Sequence, residues 1–526
     1  MKYTKKVSKM GLFGNDKKQN FNTKTSLDSS LGRGITSIQK AKDEMFFKPI
    51  RVNPKTKITN GNKNYYGENH FSQESYYVDD SEVTHEILIG TTGSGKGVLI
   101  GNRVYEAIQK GKGVIIIDPK KDVFLPQICK ETLEEMGRKD DFQVVSFPEN
   151  FGYSGINKFD DYKDIANKFI DMLGLEPSEN PGIDYYRKNS RVALRKILKI
   201  FFSGDLGILV KKDFTDILKH IRHIKEDLEK QVLYEKELSK TKPNANLLDK
   251  YSKRFFDTKK VDDIYWETTD VETFDSLSKS LAEIAESGTI FSKYTLEGAL
   301  YEGKVLYLRV DMLDIASLKM TKLMMTDAIQ QARKKTANTI IIADELSFYV
   351  NFTISSALAT VRSMGLKYIL ALQDLAQMPD GLREAILSNC NLKLFYKISD
   401  KSTLEWVEKI GGYELVSKFS KKDNETSISQ DVESNLNVTK LRAMPRTGTA
   451  IVIAEADNTP CIIDTNFIAV KQEFDWSKHE TRTDNISLSD IDKKSKEANY
   501  EVFIKNKKCL LEDSDLFGYE FDSLEI

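Results

Sequence analysis

Cysteine is scarce in this chain, and the few cysteines that occur are far apart. The 526 residues contain no CxxC pair and no closely spaced set of cysteines and histidines. Disulfide frameworks and structural zinc sites depend on such spacings, so neither is indicated, and a reducing compartment is expected. The four cysteines are Cys129, Cys390, Cys461 and Cys509.

Long apolar segments are also missing. The longest apolar runs, Gly113 to Ile117 and Thr339 to Ala343, are far shorter than the ~20 residues that cross a bilayer. The basic N-terminal segment MKYTKKVSKMGLFGNDKKQN lacks the apolar core of a secretory signal. The sequence therefore predicts no transmembrane segment, no export and a cytoplasmic location.

Neither sign of charge is in excess, because 78 lysines and arginines stand against 79 acids, for a net charge of −1. The surface as a whole gives no reason to bind nucleic acid or an anionic membrane, so any such contact must be local. Hydrophobic residues make up 40% of the chain and charged residues 30%, which is typical of a globular protein with a large core. At roughly 100 to 200 residues per domain, the length suggests about three or four structural units.

From residue 82 onward, short apolar runs alternate with helical stretches. This alternation is typical of a parallel sheet with crossover helices, so we predict an α/β fold with a mostly parallel central sheet. The last two runs form a hairpin-like pair. The predicted strands are Glu86 to Ile89, Gly113 to Ile117, Phe142 to Phe147, Lys304 to Val310, Thr339 to Ala343, Tyr368 to Leu372, Leu392 to Lys397, Ala450 to Ala454 and Cys461 to Asp464.

A charged, strand-poor segment separates the two halves of this sheet, and we predict that residues 160–300 form an inserted all-helical domain. Within it, the segment YYRKNSRVALRKILKIFF places basic and apolar residues on opposite faces of one helix. The basic face is either an ordinary solvated surface or a strip that faces DNA. The basic residues are Lys188, Arg191, Arg195 and Lys199, and the apolar residues are Leu194, Ile197, Leu198 and Phe201.

The predicted sheet domain covers residues 81–159 and 301–470, and both ends of the chain differ from it. Residues 1–80 are predicted to be a basic, flexible arm, which either contacts nucleic acid or the inner leaflet or is only a solvated tail. Residues 471–526 are predicted to be a C-terminal extension that ends in LLEDSDLFGYEFDSLEI. That acidic tail either docks on a partner or only increases solubility.

A glycine-rich loop, GTTGSGKGV, carries the strongest chemical signal. It follows a predicted strand and precedes a helical stretch, which is the context that a phosphate-binding loop requires. Glycines let successive backbone N–H groups face the phosphates, and a lysine adds a cation. A glycine also stands where Ser or Thr usually places a hydroxyl on Mg²⁺, so the metal would depend more on waters and a distant carboxylate. The predicted nucleotide-binding residues are Gly90, Thr91, Thr92, Gly93, Ser94, Gly95, Lys96, Gly97 and Val98.

The distant carboxylate is predicted in IIIADE, an apolar strand that ends in two acids. Asp344 would bind Mg²⁺, and Glu345 would polarise the water that attacks the nucleotide. Gln373, at the end of the next predicted strand, can position that water, and Arg362 can neutralise charge in a neighbour's site. Each of the last two residues, taken alone, is more typical of surface structure.

Four segments, GTTGSGKGV, IIIDPKKD, IIIADEL and VRSMGLKYILALQDLAQ, together resemble the type IV secretion coupling proteins. These are conjugative DNA-transfer ATPases related to the FtsK-like and HerA-like translocases, and the likeness covers residues 82–464. The Gly-Lys-Gly-Val variant of the loop is similar to that of one large branch of the family. Family members often have Asp-Pro-Lys-Gly-Glu where this chain has DPKKD at 118–122, so the role of that turn stays open. Many members also begin with transmembrane helices, which are not predicted here.

The resemblance implies a RecA-like P-loop ATPase that binds ATP and Mg²⁺, carries an inserted all-helical domain and assembles as a homo-hexamer. Lys96 would bind phosphate, Asp344 the metal and Glu345 the hydrolytic water. Gln373 would be a sensor, and Arg362 would act as a finger on the adjacent subunit. DNA or nucleoprotein substrates and components of the type IV secretion channel are the implied partners, and membrane association would be peripheral.

We therefore expect a cytoplasmic ATPase that recruits or translocates DNA or nucleoprotein to a type IV secretion or conjugation channel. Two alternatives stay open. One is a DNA-translocating ATPase that is not linked to secretion, and the other is a nucleotide-binding substrate receptor or adaptor with little hydrolysis. Glu345 argues against the receptor, because a protein that only binds nucleotide has no use for a water-polarising acid.

Overall fold

The computed structural model describes residues 51–59, 61–147, 153, 155–157, 160–178, 180–202, 221–222, 225, 270–286, 295–350, 352–422, 425–445, 447–455 and 459–479. Most of the predicted arm, the central part of the predicted insertion and the acidic tail lie outside these residues. The chain divides into two compact units. Unit 1 comprises Met1–Val145, Leu296–Met312 and Met325–Lys478, and unit 2 comprises Ser146–Thr295, Leu313–Met324 and His479–Ile526. The domain boundaries drawn from the sequence stay a prediction.

Among the described residues, an 11-stranded sheet has the order β2-β1-β13-β12-β9-β3-β8-β7-β4-β6-β5, and β10 and β11 form a separate antiparallel pair. The strands are β1 (Lys63–Asn69), β2 (Ser75–Asp79), β3 (Glu86–Ile89), β4 (Gly113–Asp118), β5 (Phe142–Phe147), β6 (Val305–Val310), β7 (Thr339–Ala343), β8 (Leu366–Leu372), β9 (Leu392–Phe395), β10 (Tyr413–Lys422), β11 (Glu425–Ser434), β12 (Thr449–Ala454) and β13 (Cys461–Asp464).

The central part of the sheet is parallel. Strand β3 pairs in parallel with β8 and β9, β7 pairs in parallel with β8 and β4, and β4 also pairs in parallel with β6. Every residue of β3, β4 and β7 is buried. Continuous apolar runs are typical of parallel strands that are covered on both faces. The predicted α/β fold with a mostly parallel central sheet is confirmed.

Beyond β9 the sheet is antiparallel. Strand β12 pairs with β9 and β13, and β1 pairs with β13 and β2. The hairpin-like pair predicted at the end of the domain is therefore confirmed as β12 and β13.

Strands β1 and β2 belong to the sheet, which corrects the prediction of a flexible arm at residues 1–80 for these two segments. Tyr65 and Tyr66 of β1 are fully buried, and so are its polar residues Asn64 and Glu68. The Glu68 carboxylate accepts hydrogen bonds from the hydroxyls of Tyr65 and Ser75, each at 3.1 Å. Because polar residues with distant partners fill this strand, its local composition does not show that it is buried.

Helices connect the parallel strands, as crossover topology requires. Within the described ranges, no helix is both long and apolar enough to cross a membrane. The helices are α1 (Lys96–Gln109), α2 (Leu125–Glu135), α3 (Tyr162–Met172), α4 (Pro181–Phe202), α5 (Asp270–Glu286), α6 (Glu297–Tyr301), α7 (Ile315–Lys334), α8 (Phe352–Val361), α9 (Asp380–Asn389), α10 (Lys401–Ile410) and α11 (Val438–Ala443).

Unit 2 contains α3, α4, α5 and the beginning of α7. The predicted apolar face of α4 is confirmed for Leu194, Ile197 and Leu198, which are fully buried. The side chain of Phe201 lies outside the described residues. Packing of an amphipathic helix through one apolar stripe is the usual reason that such a sequence folds as a helix.

Part of the predicted basic face of α4 is used inside unit 2. Arg191 donates to the backbone oxygen of Leu175 at 2.6 Å and pairs with Asp184 at 3.2 Å. Arg195 donates to the side chain of Asn167 at 3.3 Å. These contacts favour the structural interpretation of both arginines over a strip that faces DNA.

His85, immediately before β3, is a fully buried imidazole with two backbone partners. Its Nε2–H donates to the oxygen of Leu358 at 2.9 Å, and the N–H of Tyr368 donates to its Nδ1 at 3.1 Å. This pair of bonds needs the neutral ring, because a protonated ring has no acceptor. Burial lowers the pKa of His85 to about 4.

Because of the lowered pKa of His85, we expect the free energy of unfolding to decrease by about 2 kcal/mol when the pH falls from 7 to 5. The unfolded histidine binds a proton near pH 6.5, whereas the folded one binds it only near pH 4, so stability decreases as the pH falls through this window. Urea unfolding of the wild type and of His85→Gln at both pH values measures the effect. The variant should lose less stability on acidification, and equal losses would contradict the assignment.

Candidate nucleotide-binding site

Four neighbouring strands bring most of the predicted site residues to one edge of the sheet. The carboxyl ends of parallel strands meet at the same edge, and the order β3-β8-β7-β4 places them side by side. The glycine-rich loop follows β3, Gln373 follows β8, and Asp344 and Glu345 follow β7. The turn at 118–122 begins at the end of β4.

The glycine-rich loop curls between β3 and α1. Gly93 and Gly95 have φ angles of 75° and 117°, in the left-handed region that glycine adopts without strain. Helix α1 begins at Lys96. The first N–H groups of a helix have no intrahelical partner and, with the helix dipole, form a ready site for an anion.

The segment after β9 supports this loop from one side, which the sequence analysis did not identify. The N–H of Thr91 donates to the backbone oxygen of Lys397 at 2.9 Å. A Cβ atom on Gly90 would lie 2.6 Å from the Cβ of Tyr396. Only glycine therefore fits at the first position of the loop.

The turn before β12 supports the loop from a second side. The N–H of Gly448 donates to the backbone oxygen of Ser94 at 2.9 Å. A Cβ atom on Gly95 would lie 2.9 Å from the nitrogen of Gly448. The sequence signal for this contact is weak, since it consists of a glycine just before a predicted strand.

Lys96 is a buried lysine, 4% exposed, whose Nζ donates to the backbone oxygen of Gly90. Burial lowers the pKa of Lys96, and the charge of Lys120 acts in the same direction, whereas Asp344 and Glu345 oppose the shift. A buried ammonium is stabilised by an anionic partner. Phosphate oxygens in the loop would provide that partner in place of the Gly90 carbonyl.

The two acids after β7 share a cation. The Nζ of Lys120 lies 2.9 Å from Oδ2 of Asp344 and 2.6 Å from Oε1 of Glu345. The pKa of Lys120 is raised above its ordinary value. Burial alone would lower it, but the two carboxylates together have the larger effect. The sequence left the role of this turn open, and the structure places Lys120 on Asp344, the predicted metal ligand, and on Glu345, the predicted catalytic acid.

Glu345 is unusual in backbone and side chain. It is 3% exposed and has a left-handed φ of 50°. The Nε2 of Gln373 donates to its Oε1 at 3.1 Å, while Oε2 has no hydrogen-bond partner among the described residues. Left-handed backbone and unpaired buried oxygens are each unfavourable in ordinary packing and concentrate at functional sites. The structure thus brings Glu345 and Gln373 together.

Asp118 organises the turn after β4 by accepting three hydrogen bonds. The hydroxyl of Tyr307 donates to its Oδ2 at 2.7 Å, and the N–H groups of Lys120 and Asp122 donate at 2.8 and 2.9 Å. Burial raises the pKa of Asp118, and these hydrogen bonds oppose the rise. With both oxygens occupied, Asp118 shapes the turn that carries Lys120.

Arg362 lies at the other edge of the sheet. It precedes β8, whereas Gln373 follows β8, and the seven residues of that strand span about 23 Å. Its guanidinium donates to the backbone oxygen of Ser81 at 2.8 Å. Arg362 is therefore remote from the site of its own chain, and its role in a neighbouring subunit stays a prediction.

The residues at this edge fit Mg²⁺ that is bound together with phosphate. Mg²⁺ usually takes one or two carboxylates, substrate phosphates and waters, and the partly exposed carboxylate of Asp344 can supply one ligand. Gly97 stands where Ser or Thr usually contacts Mg²⁺, and a Cβ atom there would meet nothing within 4 Å. The buried hydroxyl of Ser94 in the same loop has no hydrogen-bond partner among the described residues. No group of three or more His, Cys, Asp or Glu side chains suited to a metal occurs in the described part of the chain.

Two family models match the chain. The model described as type IV secretory system conjugative DNA transfer matches residues 36–169, which include Lys96 and Lys120. The model described as the TraM recognition site of TraD and TraG matches residues 338–446, which include Asp344, Glu345 and Gln373.

A curated relative is the type 4 coupling protein DotL of Legionella pneumophila subsp. pneumophila (strain Philadelphia 1). It is 31% identical over 113 residues, which are 22% of this chain and 14% of DotL. The match therefore spans only a small part of that relative.

Solved structures of the coupling protein TrwB share the fold at low sequence identity. The unbound TrwBΔN70 structure has a TM-score of 0.55 and 14% identity, with coverage of 82% of this chain and 96% of TrwBΔN70. The structure of TrwB in complex with ADP and Mg²⁺ has a TM-score of 0.54 and 14% identity, with coverage of 83% and 98%.

The fold is that of the RecA-like P-loop NTPases, and the glycine-rich loop follows β3 of its sheet. Within that class, both family models and the match to DotL agree with the sequence motifs. The predicted resemblance to the type IV secretion coupling proteins is thereby confirmed.

We expect opposite effects from the same substitution at two positions of the loop. Gly95→Ala would bring a methyl group to 2.9 Å from Gly448 at a φ of 117°, whereas Gly97→Ala places it in open space at the start of α1. The first change should destabilise the fold by about 1–3 kcal/mol, and the second should be neutral or stabilise it by up to about 1 kcal/mol. Urea unfolding measures both, and equal losses would contradict this loop geometry.

Proposed function

We propose that this chain is an ATP-hydrolysing coupling protein that recruits or translocates DNA or nucleoprotein to a type IV secretion or conjugation channel. The observation that carries the proposal is the meeting of a phosphate-binding loop, two acids and a glutamine at one sheet edge. The two family models, the match to DotL and the fold shared with TrwB support the link to secretion.

ATP with Mg²⁺ is the proposed ligand of this edge. The N–H groups of the loop and the ammonium of Lys96 would bind the β- and γ-phosphates. Asp344 would hold Mg²⁺, which would supply positive charge against the phosphate oxygens. The TrwB structures in complex with ADP and Mg²⁺ and with the ATP analogue ADPNP support this choice.

Glu345 is the proposed general base for the attacking water. Its buried Oε2 has no partner among the described residues, so it can accept a hydrogen bond from water beside the γ-phosphate. The amide of Gln373, already in contact with Glu345, would orient the same water. Arg362 of an adjacent copy would neutralise transition-state charge in a homo-hexamer.

DNA would bind locally rather than through the overall charge of the protein, since the net charge is −1. The protein would act in the cytoplasm at the inner face of the membrane, held there by components of the secretion channel or by its basic N-terminal segment. Contacts between lysines or arginines and phosphates release counterions, so DNA binding should weaken steeply as salt is raised.

We expect Glu345→Gln to keep ATP binding and to lower turnover by about 100-fold or more, because it removes the base but leaves the phosphate-binding loop intact. Lys96→Ala should weaken both binding and turnover. Binding of a fluorescent ATP analogue and release of phosphate measure the two quantities. Glu405→Gln, the same change on the exposed surface of α10, is the control and should retain both. Normal turnover in Glu345→Gln would contradict the assignment.

The coupling role is tested by the ATPase rate as a function of protein concentration, with and without single- and double-stranded DNA. We expect a cooperative rise that DNA enhances and that Lys96→Ala abolishes, because ring assembly completes each site with a neighbour's arginine. A low rate that does not change when DNA is added would instead favour the nucleotide-binding substrate receptor or adaptor. DNA-stimulated hydrolysis without binding of secretion-channel components would favour a motor that is not linked to secretion.

A further inference from the structure

We propose that Lys120 is a positioning residue that holds Asp344 and Glu345 before nucleotide arrives and competes with Mg²⁺ for Asp344. The inference rests on the proposed function of the site and adds to it a step in which metal binding frees the base. The observation that carries it is the double contact of the Lys120 ammonium with both carboxylates, at 2.9 and 2.6 Å.

The turn at the end of β4 sets the course of the chain around Lys120. Asp118 accepts hydrogen bonds from the backbone N–H groups of Lys120 and Asp122. These bonds fix the backbone at Lys120 and two residues later. Lys121 between them adopts a left-handed φ of 55°. Strand β4 also pairs directly with β7, in a register that places Ile117 opposite Ala343. The turn and the acid pair are therefore direct neighbours.

The charges explain why a cation is needed at this position. Glu345 is 3% exposed, and two adjacent carboxylates repel each other unless a cation or a proton intervenes. Lys96 does not pair with either acid, since its ammonium donates to the Gly90 carbonyl. Among the described residues, the ion pairs of Asp344 and Glu345 are those with Lys120.

The two oxygens of Asp344 have different partners, and this difference makes the competition specific. Its Oδ1 accepts the backbone N–H of Glu345 at 3.0 Å, and its Oδ2 is bound by Lys120. Oδ2, which has no backbone partner within the described ranges, is therefore the oxygen for which Lys120 and Mg²⁺ would compete, because an ammonium and Mg²⁺ cannot both bind it closely. Release of Lys120 from Asp344 would also loosen its hold on Oε1 of Glu345, so the carboxylate would become a stronger base when nucleotide and metal are in place.

The test is a Mg²⁺ titration of the full chain with a fluorescent, non-hydrolysable ATP analogue at fixed concentration. The fluorescence reports nucleotide binding and does not depend on turnover. In Lys120→Gln we expect half-saturation at a Mg²⁺ concentration about five-fold lower than in the wild type, because the competing cation is gone. Lys120→Arg keeps a cation and should restore the wild-type value.

The matched control is Lys121→Asn, which removes the same charge from the next residue. Asparagine tolerates the left-handed backbone at that position, so this variant should keep the wild-type half-saturation. Thermal unfolding without nucleotide confirms that each variant is folded. Lys120→Met, with an uncharged side chain of similar length, replaces Lys120→Gln if the latter does not fold.

Three results would overturn the inference. An unchanged or higher half-saturating Mg²⁺ concentration in Lys120→Gln would mean that Lys120 does not compete with the metal. An equal decrease in Lys121→Asn would mean that the effect comes from the loss of any positive charge near the site and not from the contacts of Lys120. If the wild type does not bind the analogue, or if Lys96→Ala binds it normally, the proposed function itself fails and this inference fails with it.

Discussion

Parallel pairing of β3, β8, β7 and β4 is the constraint on which the candidate site depends. The ladders place Ile89 opposite Leu372 and Ile117 opposite Ala343, so the segments that follow these strands leave the sheet together. A slip of one residue would move every side chain to the opposite face of the sheet, where the packed core has a different shape. The apolar core therefore fixes the register, and the register fixes the distances among the chemical groups.

Charge balance is the second property of this edge. Two lysines, the buried Lys96 and the more exposed Lys120, stand against the two acids Asp344 and Glu345. The ammonium groups are bound by a loop carbonyl and by the acids themselves. Nucleotide with its metal would bring both new anions and a new cation, so the internal pairs must be exchanged for external ones. In the proposed function, ligand binding would therefore rearrange the side chains of the site.

The glycine-rich loop is shaped by tertiary packing as well as by its own sequence. Gly90 faces Tyr396 after β9, and Gly95 faces Gly448 before β12, at separations that exclude a side chain. The antiparallel side of the sheet thus supports the loop that the parallel side presents. Gly97 has no such neighbour, so its lack of a side chain is not a packing requirement.

Local sequence determined much of this protein. Continuous apolar runs identified the buried parallel strands, and spacing identified the loop and the acid pair, because periodicity and motif act over a few residues. It did not reveal β1, whose buried polar residues depend on partners elsewhere in the fold, such as the hydroxyl of Ser75 for Glu68. Only the tertiary structure placed Lys120 on both acids and Arg362 at the opposite edge. The physical reason is that strand order, and hence which distant residues meet, is decided by pairing across the whole sheet.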